Sequence, residues 1–275
     1  MTGARNTRRR RTRFWNTAAP VCSVAVVVAG WELITRAAPS TYFPPPSQIA
    51  VRLGELWFTG PPSHAFLTDA ALAHIPPSMA RLLGAWLLAC AIGVGVGLLL
   101  GRNAVLAECC EPLIHFFRAI PPTVLLPVWI VLLKIGDQMQ VVTIVFGVIW
   151  PILINTMDGA RSVQPLQEDT VKVFRLSGPQ RLWSVILPAA LPKIFAGLRL
   201  SLSLALILMV ISEVMGGSTN GIGFSLLAET QRTYDIPAMW GGIVILGALG
   251  FGLNSALLAI ERRALAPHGL TGSHA

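Results

Sequence analysis

Over long stretches of this chain the polar positions disappear altogether. Four runs, about 19–35, 82–101, 139–157 and 237–260, are apolar almost throughout. Each approaches the roughly 20 residues that a helix needs to cross a bilayer. Two further runs reach that length once their flanks are included. The run from Ile120 to Leu133 carries Pro121, Pro122 and Pro127, and the run from Ile194 to Met215 carries Arg199 near its start and Glu213 near its end. The pattern predicts an all-α membrane protein with six transmembrane helices.

Between these runs the periodicity changes. In the segment 37–78, prolines 44 to 46 impose extended chain, after which Ser47 is placed to cap a short helix with Ile49, Leu53, Leu56 and Trp57 on one face. Such a helix lies on the membrane surface or packs against neighbouring spans. The polar segment 160–189 reads as two short amphipathic helices. Leu166, Thr170, Val173, Phe174 and Ser177 share one helical face, and Leu182, Val185 and Ile186 form a second stripe. Ser177-Gly178-Pro179 supplies a break and restart between them, and Pro188 is expected to end the second helix. The product is a compact knuckle that either docks a partner or lies flat on lipid.

Composition agrees: 53% of residues are hydrophobic and only 12% charged, too little polar surface for a soluble globule of this length. The net charge of +8 is distributed by side and does not point to nucleic acid. Arg5, Arg8, Arg9, Arg10, Arg11 and Arg13 precede the first span, which places the N-terminus in the cytoplasm. With six spans, Arg102, Arg161, Lys172, Arg175, Arg181, Arg262 and Arg263 fall on that same side, as does the C-terminus. Arg36, Arg52, Lys134 and Arg232 fall on the other, with Arg81 at a span mouth. The basic tail is suited to anionic lipid. It is not expected to be a cleaved export signal, since Arg36 closes the first apolar run and five more spans follow. This gives a basic tail 1–18, a first span 19–36, an exported segment 37–78, a core 79–262 containing 160–189, and a tail 263–275.

Several chemistries are disfavoured. No Gly-Lys pair occurs, so no P-loop is present and any nucleotide is held by another chain. Glu108, Cys109, Cys110 and His115 lack a second ligand pair at a recognisable spacing, so no metal site is expected. Nor do the four cysteines suggest a disulfide framework. A membrane-embedded enzyme needs convergent acid, base and nucleophile groups that the pattern does not assemble. An ion-coupled secondary transporter, the main alternative, should show matching halves around coupling-ion ligands, and no such symmetry is visible. In the second span, Gly93, Gly97 and Gly101 form a small-residue stripe for close helix packing.

The central segment resembles the EAA loop of ABC importer permeases. Asp169, Thr170 and Val171 stand at its Glu-Ala-Ala positions, Arg175 at its glycine, and Val185, Leu187 and Pro188 at its Ile-x-Leu-Pro end. Arg175 departs from the pattern, which suggests that the turn rests instead on Gly178. The resemblance extends over about residues 70–262. It includes "FFRAIPPTVLLPVWIVLLKIG", "ILINTMDGAR" and "ISEVMGGSTNGIGF", which are similar to segments of the nitrate, taurine, alkanesulfonate and bicarbonate branch.

The resemblance implies a five-helix type I importer core preceded by one N-terminal helix, in the bacterial inner membrane. It implies a second permease copy paired as a homodimer, two ATPase subunits that bind ATP and Mg, and an extracytoplasmic binding protein. The ATPase-docking residues it implies are Asp169, Thr170, Val171, Val173, Phe174, Arg175, Gly178, Leu182, Trp183, Val185, Leu187 and Pro188. Pathway or gate candidates are Glu213, Arg118, Pro121, Pro122 and Asn155. A carboxylate within a span, such as Glu213, faces a cavity or a structural partner. Arg118 is read near the inner mouth, attracting an anion or simply following the positive-inside bias. The implied cargo is a small anion of sulfonate, nitrate or bicarbonate type.

Overall fold

The computed structural model describes residues 22–163, 166–167, 171 and 173–266. Among them every regular element is helical. We number the helices α1 (22–37), α2 (Pro46–Trp57), α3 (Asp69–Arg102), α4 (Ala104–Ala119), α5 (Leu126–Leu133), α6 (Asp137–Arg161), α7 (Gly178–Met215), α8 (Ile222–Ala228) and α9 (Ile236–Leu265). Helices α3, α6, α7 and α9 are long and apolar enough to span a membrane, and α4 with α5 makes one further candidate, bent by 79°. Four or five spans thus stand where six are predicted. The first predicted span falls on α1, which is not among these candidates.

The bend falls where the prolines stand. Ile120 is forced into extended backbone (φ −77°, ψ 119°) by the proline after it, and a single 3-10 turn, Pro122–Leu125, restarts the chain towards α5. The predicted broken span is present.

The described residues form two compact units, one holding residues up to Ala71 with Ala228–Ile243, the other Leu72–Leu227 with the chain from Val244. Side chains explain why 228–243 groups with the early segment. Arg52 Nε donates to Asp235 at 2.6 Å, and Trp240 packs edge-on to Trp31 with ring centroids 5.1 Å apart. Trp240 Nε1 also donates to the Tyr42 carbonyl at 3.0 Å. Glu55 first and Asp235 second hold the Arg52 guanidinium above its ordinary pKa. Helix α2 buries Ile49 and Trp57 within this unit, so its apolar face is packed on protein. Ser47 does not cap it. The helix begins at Pro46, and Ser47 instead directs its N–H and hydroxyl at the Glu32 carboxylate, at 3.0 and 2.7 Å.

In the second unit α6 is central. It runs parallel to α3, with Gly93 against Ile152, Gly97 against Thr156 and Gly101 against Met157 and Ala160. A Cβ on Gly97 would lie 2.7 Å from Thr156 Cβ, so the small-residue stripe is what permits this approach. Against α7 it runs antiparallel, with Gly159 beside Ala190 and Gly197 beside Asn155. Ile144, Val148, Ile152, Leu202, Ala205 and Met209 fill the core.

Candidate functional site

Three places carry the sequence-predicted residues, all within the second unit. The first is the knuckle before α7. Asp169 and Thr170 lie outside the described residues. Val171 is buried at 7% exposure, whereas Val173, Phe174 and Trp183 are 78%, 71% and 68% exposed. Arg175, not Gly178, is the turning residue: its φ of +50° is left-handed, and the Leu176 N–H reaches back to the Val171 carbonyl at 3.2 Å. A residue with a Cβ holds this left-handed conformation at a strain of about 1 kcal/mol. Gly178 opens α7 instead, behind Ser177, whose N–H and hydroxyl both donate to Gln180 Oε1 at 2.9 Å.

Pro188 likewise does not end a helix. Leu182–Ile186 adopts a π turn, with the Leu187 N–H bonded to the Leu182 carbonyl, and Pro188 sits in the first turn of the segment that continues to Met215. The wider register accommodates a residue that has no N–H to give. Leu182, Val185 and Leu187 are half-buried along this turn, and Ile186, 1% exposed, anchors it. The second half of the knuckle, from Gly178, is thus continuous with α7.

The second place surrounds Glu213, which is 1% exposed. Its Oε1 accepts from Ser78 Oγ at 2.7 Å and from Arg81 Nη1 at 2.8 Å, and its Oε2 from the Gly223 N–H at 2.8 Å. Arg81 extends the cluster to Asp137 at 2.7 Å and to the Asn220 side chain. Ser78 also accepts from the Ile222 N–H at 2.8 Å, and His74 Nδ1 from Gly221 N at 3.2 Å. Gly221 is required here: its φ is +113°, and a Cβ would strike the Glu213 carboxylate. Glu213 is therefore a fully partnered latch between α3, α6, α7 and the turn before α8, and it lines no open cavity. Sequence reasoning found Glu213 and the Asn220-Gly221 turn but missed that Ser78 and Arg81 meet them.

The third place is the break between α4 and α5. Pro122 packs towards Gly147 of α6. Asn155 donates to the Pro151 carbonyl of its own helix at 2.8 Å, bracing a proline-containing turn. A ladder of rings crosses this region: Phe117 stacks on Trp150 at 6.1 Å and 5°, Phe146 meets Trp150 edge-on at 5.6 Å, and Trp129 follows Phe146 at 6.3 Å. The indole N–H groups of Trp129 and Trp150 are buried without an acceptor.

Arg118 follows Phe117, and Trp150 stands near the middle of α6, on the order of 15 Å from either end of that helix. Arg118 therefore lies level with the middle of α6. It is exposed on this chain and makes no ion pair or hydrogen bond among the described residues. A guanidinium facing hydrocarbon at that depth costs about 2.5–3.5 kcal/mol on insertion scales. Its place in the last turn of α4 returns only about 0.3–1 kcal/mol.

An apolar helical bundle with one sharply broken span and a helical knuckle continuous with another span defines a multi-pass membrane permease. The chain belongs to the family of binding-protein-dependent transport system inner membrane components, whose pattern matches residues 93–266. It is 28% identical over 253 residues to the taurine transport system permease protein TauC of Escherichia coli, covering 92% of this chain and 88% of that one. It is 31% identical to the bicarbonate transport system permease protein CmpB of Synechococcus elongatus, over 67% of this chain and 66% of that one. To the nitrate import permease protein NrtB of Synechocystis it is 30% identical, over 88% and 87% of the two chains. Its fold matches a chain of the MetNI methionine ABC transporter solved in inward-facing conformations. The TM-score is 0.60 at 22% identity, covering 70% of this chain and 95% of that one. The protein is thus an ABC importer permease, of a family that works with an ATPase and a binding protein.

Proposed function

We infer that this chain imports a small oxyanion, with two copies pairing as a homodimer in the inner membrane and both termini of each in the cytoplasm. Each copy grips one of two ATPase subunits, which bind ATP and Mg, through the knuckle around Val173, Phe174 and Trp183. The extracytoplasmic binding protein delivers cargo at the opposite face. The taurine, bicarbonate and nitrate systems among the relatives support the cargo class.

The observation that carries the docking assignment is the exposure of Phe174, on the turn closed by the Leu176 N–H to Val171 carbonyl bond, and of Trp183, in the first turns of α7. Large apolar side chains held out on an ordered turn mark an interaction surface. A lever continuous with a span transmits rigid-body motion that a loose loop would absorb. For the ATPase to convert a 1:99 mixture of states to 99:1, its two nucleotide states must differ by about 5.5 kcal/mol in binding. Phe174→Asp and Trp183→Asp place a charge in that seat. Both variants are expected to insert normally, lose at least about tenfold of ATPase co-purification and lose uptake. Normal uptake by both would refute the docking role.

A further inference from the structure

We propose that His74 is a proton-sensitive clasp: with a neutral ring it fastens the start of α8 to α3, and with a protonated ring it lets that turn go. The clasp rests on three successive backbone donors. The N–H groups of Gly221, Ile222 and Gly223 open α8, where a helix offers its own backbone donors no acceptor. They donate instead to His74 Nδ1 at 3.2 Å, Ser78 Oγ at 2.8 Å and Glu213 Oε2 at 2.8 Å. His74, Ser78 and Arg81 stand at i, i+4 and i+7 on one face of α3, and Arg81 completes the grip on both oxygens of Asn220.

Of these side chains, only an imidazole ordinarily changes charge between about pH 5 and 8. A neutral ring that accepts at Nδ1 carries its proton on Nε2, whereas a protonated ring has a donor on both nitrogens and accepts nothing. Protonation therefore sets one N–H against another, and the bond to Gly221 is lost. Flipping the ring brings a C–H to that place and restores no acceptor. Gly221 has little freedom to compensate, since its φ is +113° and the Glu213 carboxylate lies where a Cβ would stand.

The charged groups of the cluster are Arg81 on α3, Glu213 on α7 and Asp137 on α6, with the arginine bridging the two carboxylates. Together they leave one net negative charge, so a protonated ring is admitted by the cluster as a whole. Helix α8 carries no charged residue, and Asp69, earlier on α3, is turned to His64 at 3.7 Å. Phe224 of α8 packs on the His74 ring with centroids 5.9 Å apart, a contact open to either form of the ring. The Gly221 bond is thus what separates the two protonation states. Release frees the connection between α7 and α8, at the end of the bundle that the charge bias places outside, where acidity follows the medium. Only this sidedness draws on the importer reading.

The test uses the full complex of permease, ATPase and binding protein in lipid nanodiscs. Cys22, Cys90, Cys109 and Cys110 are replaced by Ser, the exposed Thr219 is changed by Thr219→Cys to carry a nitroxide spin label, and label mobility is followed from about pH 8 to about pH 5. With His74 present, acid should shorten the rotational correlation time of the label at least about twofold, and reversibly. His74→Asn places an amide oxygen where Nδ1 stood and does not titrate, so its label should stay ordered throughout. An acid response that persists in His74→Asn, or a label indifferent to pH in the parent chain, overturns the clasp. A preparation lacking the ATPase would strike the importer reading alone, because the label reports on the turn with or without that partner.

Discussion

Glu213 keeps its charge inside the bundle because both of its oxygens are met by donors from distant parts of the chain. A buried ion pair loses heavily when one partner is removed, since the other is left charged and unmatched. Glu213→Gln should therefore lower stability by about 3–5 kcal/mol, read as an earlier thermal unfolding transition of the purified protein. An unchanged transition would mean that the latch carries no net stabilisation. The sequence exposes Glu213 as a carboxylate within an apolar run, but Arg81 reads only as a charge at a span mouth. Their meeting depends on the parallel register of α3 and α6 and the antiparallel return of α7, which no local periodicity encodes. Positive-inside bias gives every arginine near a span the same reading, whereas the stack of Phe117 on Trp150 sets Arg118 level with the middle of α6.

At the scale of elements, prolines were the most legible signal and also the most misleading. Pro121 and Pro122 announce the broken span, where the missing N–H groups and the restricted preceding residue act together. Pro188 follows the same chemistry to the opposite result, because a π turn absorbs the defect and the helix continues. The knuckle's turn shows the converse. Backbone geometry is retained at Arg175 although the residue that suits it is absent. Arg175→Gly should stabilise the knuckle by about 1 kcal/mol and slow amide exchange of Leu176, without reducing ATPase co-purification. Faster exchange there would show that the arginine side chain, and not the backbone, holds the turn.

For the molecule as a whole, the fold class was readable from hydrophobic run length alone, because a bilayer imposes that length on any helix crossing it. The grouping of 228–243 with the early segment was not, since it rests on Arg52 with Asp235 and Trp31 with Trp240, residues far apart in sequence. The central claim is that an ordered turn at the head of α7 receives the stroke of an ATPase and passes it along a continuous helix. The most direct measurement joins that turn to its partner: Trp183→Cys, in a chain whose natural cysteines are Ser, treated with a short bifunctional thiol reagent in native membranes. The account predicts a covalent adduct with the ATPase subunit and loss of ATP-driven uptake once it forms. Adducts with lipid alone, while uptake continues undiminished, would contradict it.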